Sequence, residues 1–518
     1  MYPFLIALLI IAATVENLWP SIIGFMKTPP GMVFLGTVHH PADYFYYLSQ
    51  FAQHASFVFA ENLYTSEPVA PSLVGWLNVV SGRLFAALGV GQIFAYQISL
   101  VILTIGALVA AYILTKSVLK TPRATLLGFF FFVLVHAFPV MREGVSSYAD
   151  YWNNYAVPRV RLGGVPHQLA ITVLSCIIPF VFFHLAGEKS TRKYLFAGML
   201  ASGFLGSLQP VLWLLIMASI GFTIIARRVL FKIPVTRRML LSLFSVGGAG
   251  MIPVTYLTFL FRNLPYRQLA AWEATQMTVF TAEHFILATG PLFLIAVLSL
   301  TLLGKRLTVP LLFMILFTGT SFLLFLLPVG GIVGISHVRF MSSLAILGTA
   351  IIAASGLDHL LAAKVVWLRV VTYAVIVGIS VLLLPNHIKT LMLTAQFAPN
   401  NLYQYLPQRE YALLSGLTAQ STPKDTFLLP SPYNTIFPAI SGRRSYNGHP
   451  LITIHAAAKD REVEAFFAEH ADLADMHEFV TNRGITWIVS TPNPKLAGAG
   501  WVREISRSDS LTAYQVVK

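Results

Sequence analysis

The stretch HHPADYFYYLSQ sets Asp43 just after His39 and His40 and just before a run of aromatic residues. A carboxylate there can take a proton from a hydroxyl. It can also hold a divalent cation, Mg or Mn, with a nearby His or Glu; His39, His40 and Glu61 are the candidate metal or acceptor contacts, although adjacent histidines at an interface can equally be simply solvated. Asp43 is equally suited to be the N-cap of the following helix, a role compatible with the first. Phe45, Tyr46, Tyr47 and Phe51 make that segment amphipathic, fit to lie in a membrane interface with its rings at headgroup level.

A second group of residues has the chemistry of anion binding. In YAVPRVRLGGVPHQLA, Arg159 and Arg161 are two apart, so in an extended stretch both side chains point the same way. Paired guanidinium forks match the oxygens of a phosphate or pyrophosphate, although bilayer headgroups alone would also attract them. His167 follows Pro166 at the start of the next apolar run, and Arg339 in ISHVRFMSS offers a second phosphate contact or a snorkelling anchor. In FPAISGRRSYNGHPLITI, Gly442 and Gly448 frame Arg443, Arg444 and Tyr446, with His449 following. Such a loop either supplies cations to a leaving phosphate or connects strands. Glu16 lies inside an apolar run, where an isolated carboxylate is costly; it is near the outer end, paired or protonated. Glu273 reads as a cap or solvated residue of a loop helix.

These residues are punctuation in an apolar chain. Of 518 residues 56% are hydrophobic and 11% charged, against about 25% charged in soluble domains. Apolar runs of membrane-crossing length fall near 4–24, 92–115, 124–140, 167–186, 239–261, 284–303, 308–328, 340–361 and 366–385. The run 194–226 has basic residues on both flanks and so must enter and return, breaking near Gly206, Ser207, Gln209 and Pro210; one long tilted helix is the alternative. The expected class is an α-helical polytopic membrane protein of about eleven transmembrane helices, with a small C-terminal α/β extracytoplasmic domain.

Alternate loops carry fifteen Lys and Arg, the opposite short loops eight. This bias places the N-terminus in the cytoplasm, the first span as a retained helix, and residues 25–91, 141–166, 262–283, 329–339 and everything after 386 outside. The net charge of +14 is spread over these boundaries, and no basic stripe points to nucleic acid. Cys176, the single cysteine, rules out an intramolecular disulfide. The expected division is 1–385 for the membrane domain, with long outer loops 25–91 and 141–166, and 386–518 for the outer domain. In the latter TFLLP, ITWIVS and LTAYQVV read as strands, with helices around Glu462–Glu469 and Met476–Asn482 and a helix stop at Gly484.

An Asp in a long first outer loop, Arg and His in a long second one, an Arg at the mouth of a late helix and an outer C-terminal domain together resemble the GT-C glycosyltransferase superfamily, with uncharacterised bacterial members nearest. The resemblance implies an integral enzyme of the bacterial plasma membrane that moves a sugar from a polyprenyl-phosphate donor to a glycan, lipid or protein acceptor on the outer face. It implies inversion, with Asp43 as base and Arg159, Arg161, His167 and Arg339 on the donor phosphate. Asp43 has no adjacent acid, where family members often have a pair. Nothing resembles the WWDYG motif of oligosaccharyltransferases, which argues against transfer of a preassembled glycan to Asn. A transporter or flippase of lipid-linked sugars and a non-catalytic assembly protein are the alternatives; a transporter would be expected to show repeated halves, and none are visible.

Overall fold

Short polar residues and prolines start many of the helices. Thr121, Thr308 and Ser342 accept from the backbone amides of Ala124, Leu311 and Ala345, and proline occupies an early position of the first two helices. The computed structural model describes residues 2–38, 40–53, 56–142, 145–148, 154–186, 192–276, 281–304, 307–327, 329–393 and 397–517. Among them, eight helices are long and apolar enough to cross a membrane: Tyr2–Met26, Gln92–Val118, Pro166–Leu185, Pro210–Phe231, Met239–Leu260, Val309–Leu326, Ser343–Leu361 and Val366–Met392. The protein is an integral membrane protein.

The chain forms two compact units. One comprises Met1–Trp19, Leu100–Leu260 and Glu273–Leu393; the other comprises Pro20–Ser99, Phe261–Trp272 and Thr394–Lys518.

The first unit is helical. Its centre is Ser343–Leu361, 83% of whose apolar stretch is buried, against 17% for Val366–Met392, which is largely exposed. Small residues allow the central helix to be approached closely. A Cβ on Gly348 would lie 2.0 Å from Thr318 Oγ1, and one on Gly356 would lie 2.2 Å from Ser299 Oγ. At the end of this helix Asp358 accepts from Arg123 Nε at 2.7 Å.

The expected reversal within 194–226 is present. One helix ends at Leu208 and the next begins at Pro210. Trp213 Nε1 donates to Ser202 Oγ at 2.6 Å, a pair that a continuous helix would hold about 16 Å apart. Arg227 donates to Ala186 O at 3.0 Å, so the chain returns to the level from which it started.

Two expected spans are corrected. The run 124–140 forms a helix only over Pro122–Leu134, about 20 Å long, because Val135 turns extended and Pro139 begins a strand. The run 284–303 is two helices, Ala282–Thr289 and Pro291–Leu303, bent by 95°. Gly290 makes the bend at φ 82°, where a Cβ would lie 2.1 Å from His136 O.

The second unit has a five-stranded sheet in the order Arg444–Ser445, Thr426–Leu428, Trp487–Ser490, Thr512–Val516, Val502–Arg507. The first three strands are parallel and the last two antiparallel. Helices Tyr433–Ser441, Ala456–Phe466 and Leu473–Asn482 make the crossovers that parallel pairing needs. Leu428, Val463, Phe466, Val480, Ile488 and Tyr514 are among the residues that fill the core between sheet and helices. Gly484, at φ 63°, follows the last of these helices as expected. Met32–Phe34 pairs antiparallel with Tyr405–Pro407, fastening the segment that leads to Asp43 onto the C-terminal part of the chain.

Candidate active site

Pro41 opens the helix Pro41–Phe51, and its N-cap is His40, held at φ 46°. Asp43 is therefore the third helical residue and not the cap, a correction that Pro41 dictates because proline favours the first helical position. A carboxylate in the first turn is still favoured by the amides and dipole of the helix start. The interfacial reading of this helix is also overturned. Tyr44, Phe45, Tyr46, Leu48, Ser49, Gln50 and Phe51 are buried in protein, and Asp43 is the one exposed residue of the helix. Tyr44 Oη donates to Leu35 O at 2.7 Å, and a Cβ on Gly82 would lie 2.3 Å from Phe51 O. His39 lies outside the described residues.

The glycine-framed loop lies in the same unit as Asp43. A Cβ on Gly442 would lie 2.6 Å from Ala52 O, and one on Gly448 would lie 2.3 Å from Asn434 O, so both glycines permit close backbone approach. His449 Nε2 faces Asp43 Oδ1 at 3.5 Å; the imidazole is 3% exposed and the carboxylate 55%. Arg443 is not a cation held out for a ligand: it donates to Thr418 O at 2.8 Å, Ser421 O at 3.1 Å and Ser421 Oγ at 3.1 Å. Burial holds its pKa below the usual arginine value. Arg444 approaches Glu61 at 3.9 Å. Glu61, Gln53, Phe51, Gly82 and Arg443 help to line a cavity of about 490 Å³. Tyr446 is buried, bonds Glu462, and has its pKa raised by burial and then by that carboxylate.

Sequence reading missed Lys459. Its ammonium donates to Glu67 at 2.6 Å, Ser66 Oγ at 2.8 Å, Tyr446 O at 3.2 Å and Thr65 Oγ1 at 3.3 Å, and it lies 4.5 Å from the Tyr446 ring centroid. Burial works against both charges. At Glu67 the bonds from Lys459 and Thr65 outweigh it and the pKa falls; at Lys459 burial outweighs the carboxylate and the pKa also falls. The pair therefore adds little as a charge pair and acts mainly to hold residues 65–67 against the Ala456–Phe466 helix. Nothing local marks the ion pair, since Glu67 lies 392 residues from Lys459.

The first unit holds the other expected residues. Pro158–Arg161 is a single helical turn, so the predicted parallel pair of Arg159 and Arg161 is not formed: two residues along a helix diverge by roughly 200°. Arg161 is 1% exposed and donates to Ala156 O at 2.8 Å, Val133 O at 3.0 Å and Tyr155 O at 3.1 Å. Arg159 is half-buried, and His167 is half-buried in the first turn of Pro166–Leu185. Arg339 sits in the turn His337–Phe340 and binds Glu273 through both edges, Nε to Oε1 at 2.7 Å and Nη2 to Oε2 at 2.8 Å. Glu16 is paired, as one of its readings required: His387 Nδ1 is 2.7 Å from its carboxylate, and Nε2 is 2.8 Å from Leu134 O.

Among the described residues, no three His, Cys, Asp or Glu side chains converge as metal ligands. Near Asp43, His449 Nδ1 accepts the amides of Leu451 at 3.1 Å and Ile452 at 3.2 Å, so its proton is on Nε2 and that nitrogen cannot ligate. The described residues around Asp43 thus do not form a cation cage.

No family model and no curated protein matches the chain. Solved structures do. The oligosaccharyltransferase of Archaeoglobus fulgidus in its apo form matches with a TM-score of 0.52 at 12% identity, over 94% of this chain and 69% of that one. The same archaeal enzyme, AglB, in complex with an inhibitory peptide and a dolichol-phosphate matches with a TM-score of 0.51 at 13% identity, over 94% and 69%. A mutant of the arabinofuranosyltransferase AftD from Mycobacteria matches with a TM-score of 0.51 at 12% identity, over 99% of this chain and 41% of that one. The chain shares its overall fold with these solved structures.

Proposed function

We propose that the protein transfers a sugar from a polyprenyl-phosphate-linked donor to an acceptor hydroxyl by an inverting displacement with Asp43 as base. The observation that carries this reading is the setting of Asp43: the one exposed side chain on a mostly buried helix, in the first long loop of a chain with the GT-C fold. The fold-level part of the argument is analogy.

Asp43 takes the proton of the acceptor hydroxyl as its oxygen attacks the anomeric carbon. The bond from that carbon to the phosphate oxygen breaks, and the lipid phosphate leaves with the electron pair. Arg159 and His167 are the proposed phosphate contacts, because charge developing there needs preorganised donors. Arg161, spent on three carbonyls, instead fixes the turn that carries Arg159. Arg339 contributes as half of a carboxylate-aligned pair with Glu273. Basic residues on alternate loops support a cytoplasmic N-terminus and chemistry on the outer face of a bacterial plasma membrane. A lipid donor follows from that placement, since nucleotide sugars are cytoplasmic. The acceptor is a glycan, lipid or protein. Radiolabelled polyprenyl-phosphate sugars presented to membranes containing wild type or Asp43→Asn test the proposal: transfer lost with the carboxylate supports it, and equal transfer removes Asp43 from the mechanism.

A further inference from the structure

His449 is placed unlike a solvated loop histidine. Its ring packs against both Tyr46, centroids 5.5 Å apart, and Tyr64, 6.0 Å apart, with both contacts edge-on. Its own amide donates to Thr453 Oγ1 at 3.1 Å. Nδ1 accepts two backbone amides, so the tautomer is settled and the proton sits on Nε2. Among the described residues that buried Nε2 has no hydrogen-bond partner, and it faces Asp43 Oδ1 at 3.5 Å. A buried donor left unpaired costs stability, and such a group calls for an explanation.

We infer that His449 is the positioning residue of Asp43: its Nε2–H, fixed by the Leu451 and Ile452 amides and two tyrosine rings, orients the carboxylate for proton abstraction. The inference rests on the reading of Asp43 as base. His449 is too buried to meet substrate, so it acts through Asp43. The gap of 3.5 Å closes when the acceptor settles the carboxylate rotamer, as contacts of this kind tighten in the reacting complex.

Two substitutions separate the two sides of the ring. His449→Asn keeps an acceptor for the Leu451 and Ile452 amides but has no donor that reaches Asp43; His449→Gln places an N–H where Nε2 stood. Both are compared with wild type, Asp43→Asn and the double variant Asp43→Asn/His449→Asn, using the radiolabelled polyprenyl-phosphate sugar panel and thermal unfolding in detergent. Expected are a fall in kcat of about tenfold or more in His449→Asn with donor KM unchanged, substantial recovery in His449→Gln, and no further loss in the double variant beyond Asp43→Asn alone. If Asp43→Asn abolishes turnover while His449→Asn keeps wild-type kcat, or if both His449 variants lose activity only in proportion to lost folded protein, His449 has no positioning role. If Asp43→Asn turns over as wild type does, or wild type turns over nothing in the panel, the base assignment fails and this inference with it.

Discussion

Arg339 and Glu273 meet fork to fork, Nε on Oε1 at 2.7 Å and Nη2 on Oε2 at 2.8 Å, from a turn and a helix 66 residues apart. A planar guanidinium suits this geometry and a lysine ammonium does not. If the pair serves the donor phosphate, Arg339→Lys and Glu273→Gln each raise the KM for a polyprenyl-phosphate sugar about tenfold with little change in melting. Steady-state kinetics of the two variants checks this; unchanged KM in both would make the pair purely a loop fastening.

Arg161 and Arg159 are expected to part company when substituted. Replacing Arg161 with Met leaves the carbonyls of Val133, Tyr155 and Ala156 without their donor in a buried site. This should destabilise the protein by about 3 kcal/mol or more. Arg159→Gln should leave the melting midpoint nearly unchanged while weakening donor binding. Thermal unfolding of both variants beside donor KM distinguishes the fastening from the ligand contact.

Glu67 makes a pH prediction. Its folded pKa lies below its ordinary value of 4.5, so the stability it contributes is fully present above that value and is lost as pH falls through the lower folded value. Glu67→Gln should cost about 1–3 kcal/mol at neutral pH, moderated because the carboxylate is partly exposed. It should also flatten the decline of the melting midpoint between pH 5 and 3, about the region where carboxylates titrate. Melting curves of both proteins across that range decide it.

Gly290 should be intolerant of a side chain. Its φ of 82° and the 2.1 Å approach of a Cβ to His136 O mean that Gly290→Ala meets both strain and a backbone clash. A loss of at least about 3 kcal/mol, or failure to accumulate folded protein, is expected in expression and melting assays.

Much of the membrane fold was legible because charges punctuate it. The basic flanks of 194–226 forced a reversal, and the structure breaks the chain at Gln209. Apolar content without attention to proline and glycine misled elsewhere. Gly290–Pro291 carried a breaker signal inside an apolar run, and Pro158 at the head of a single turn explains why Arg159 and Arg161 diverge. Pro41 likewise placed Asp43 at the third helical position. The contacts of His449 with Asp43 and Lys459 with Glu67 were illegible, because they join segments about 400 residues apart through tertiary packing and leave no periodicity to read.

The most direct test of the central claim is sugar transfer from radiolabelled polyprenyl-phosphate donors by purified wild type and Asp43→Asn, with and without divalent cation. The account predicts transfer by wild type and a loss of roughly a hundredfold or more in Asp43→Asn, the range of a positioned general base. Equal transfer by the two proteins would contradict it.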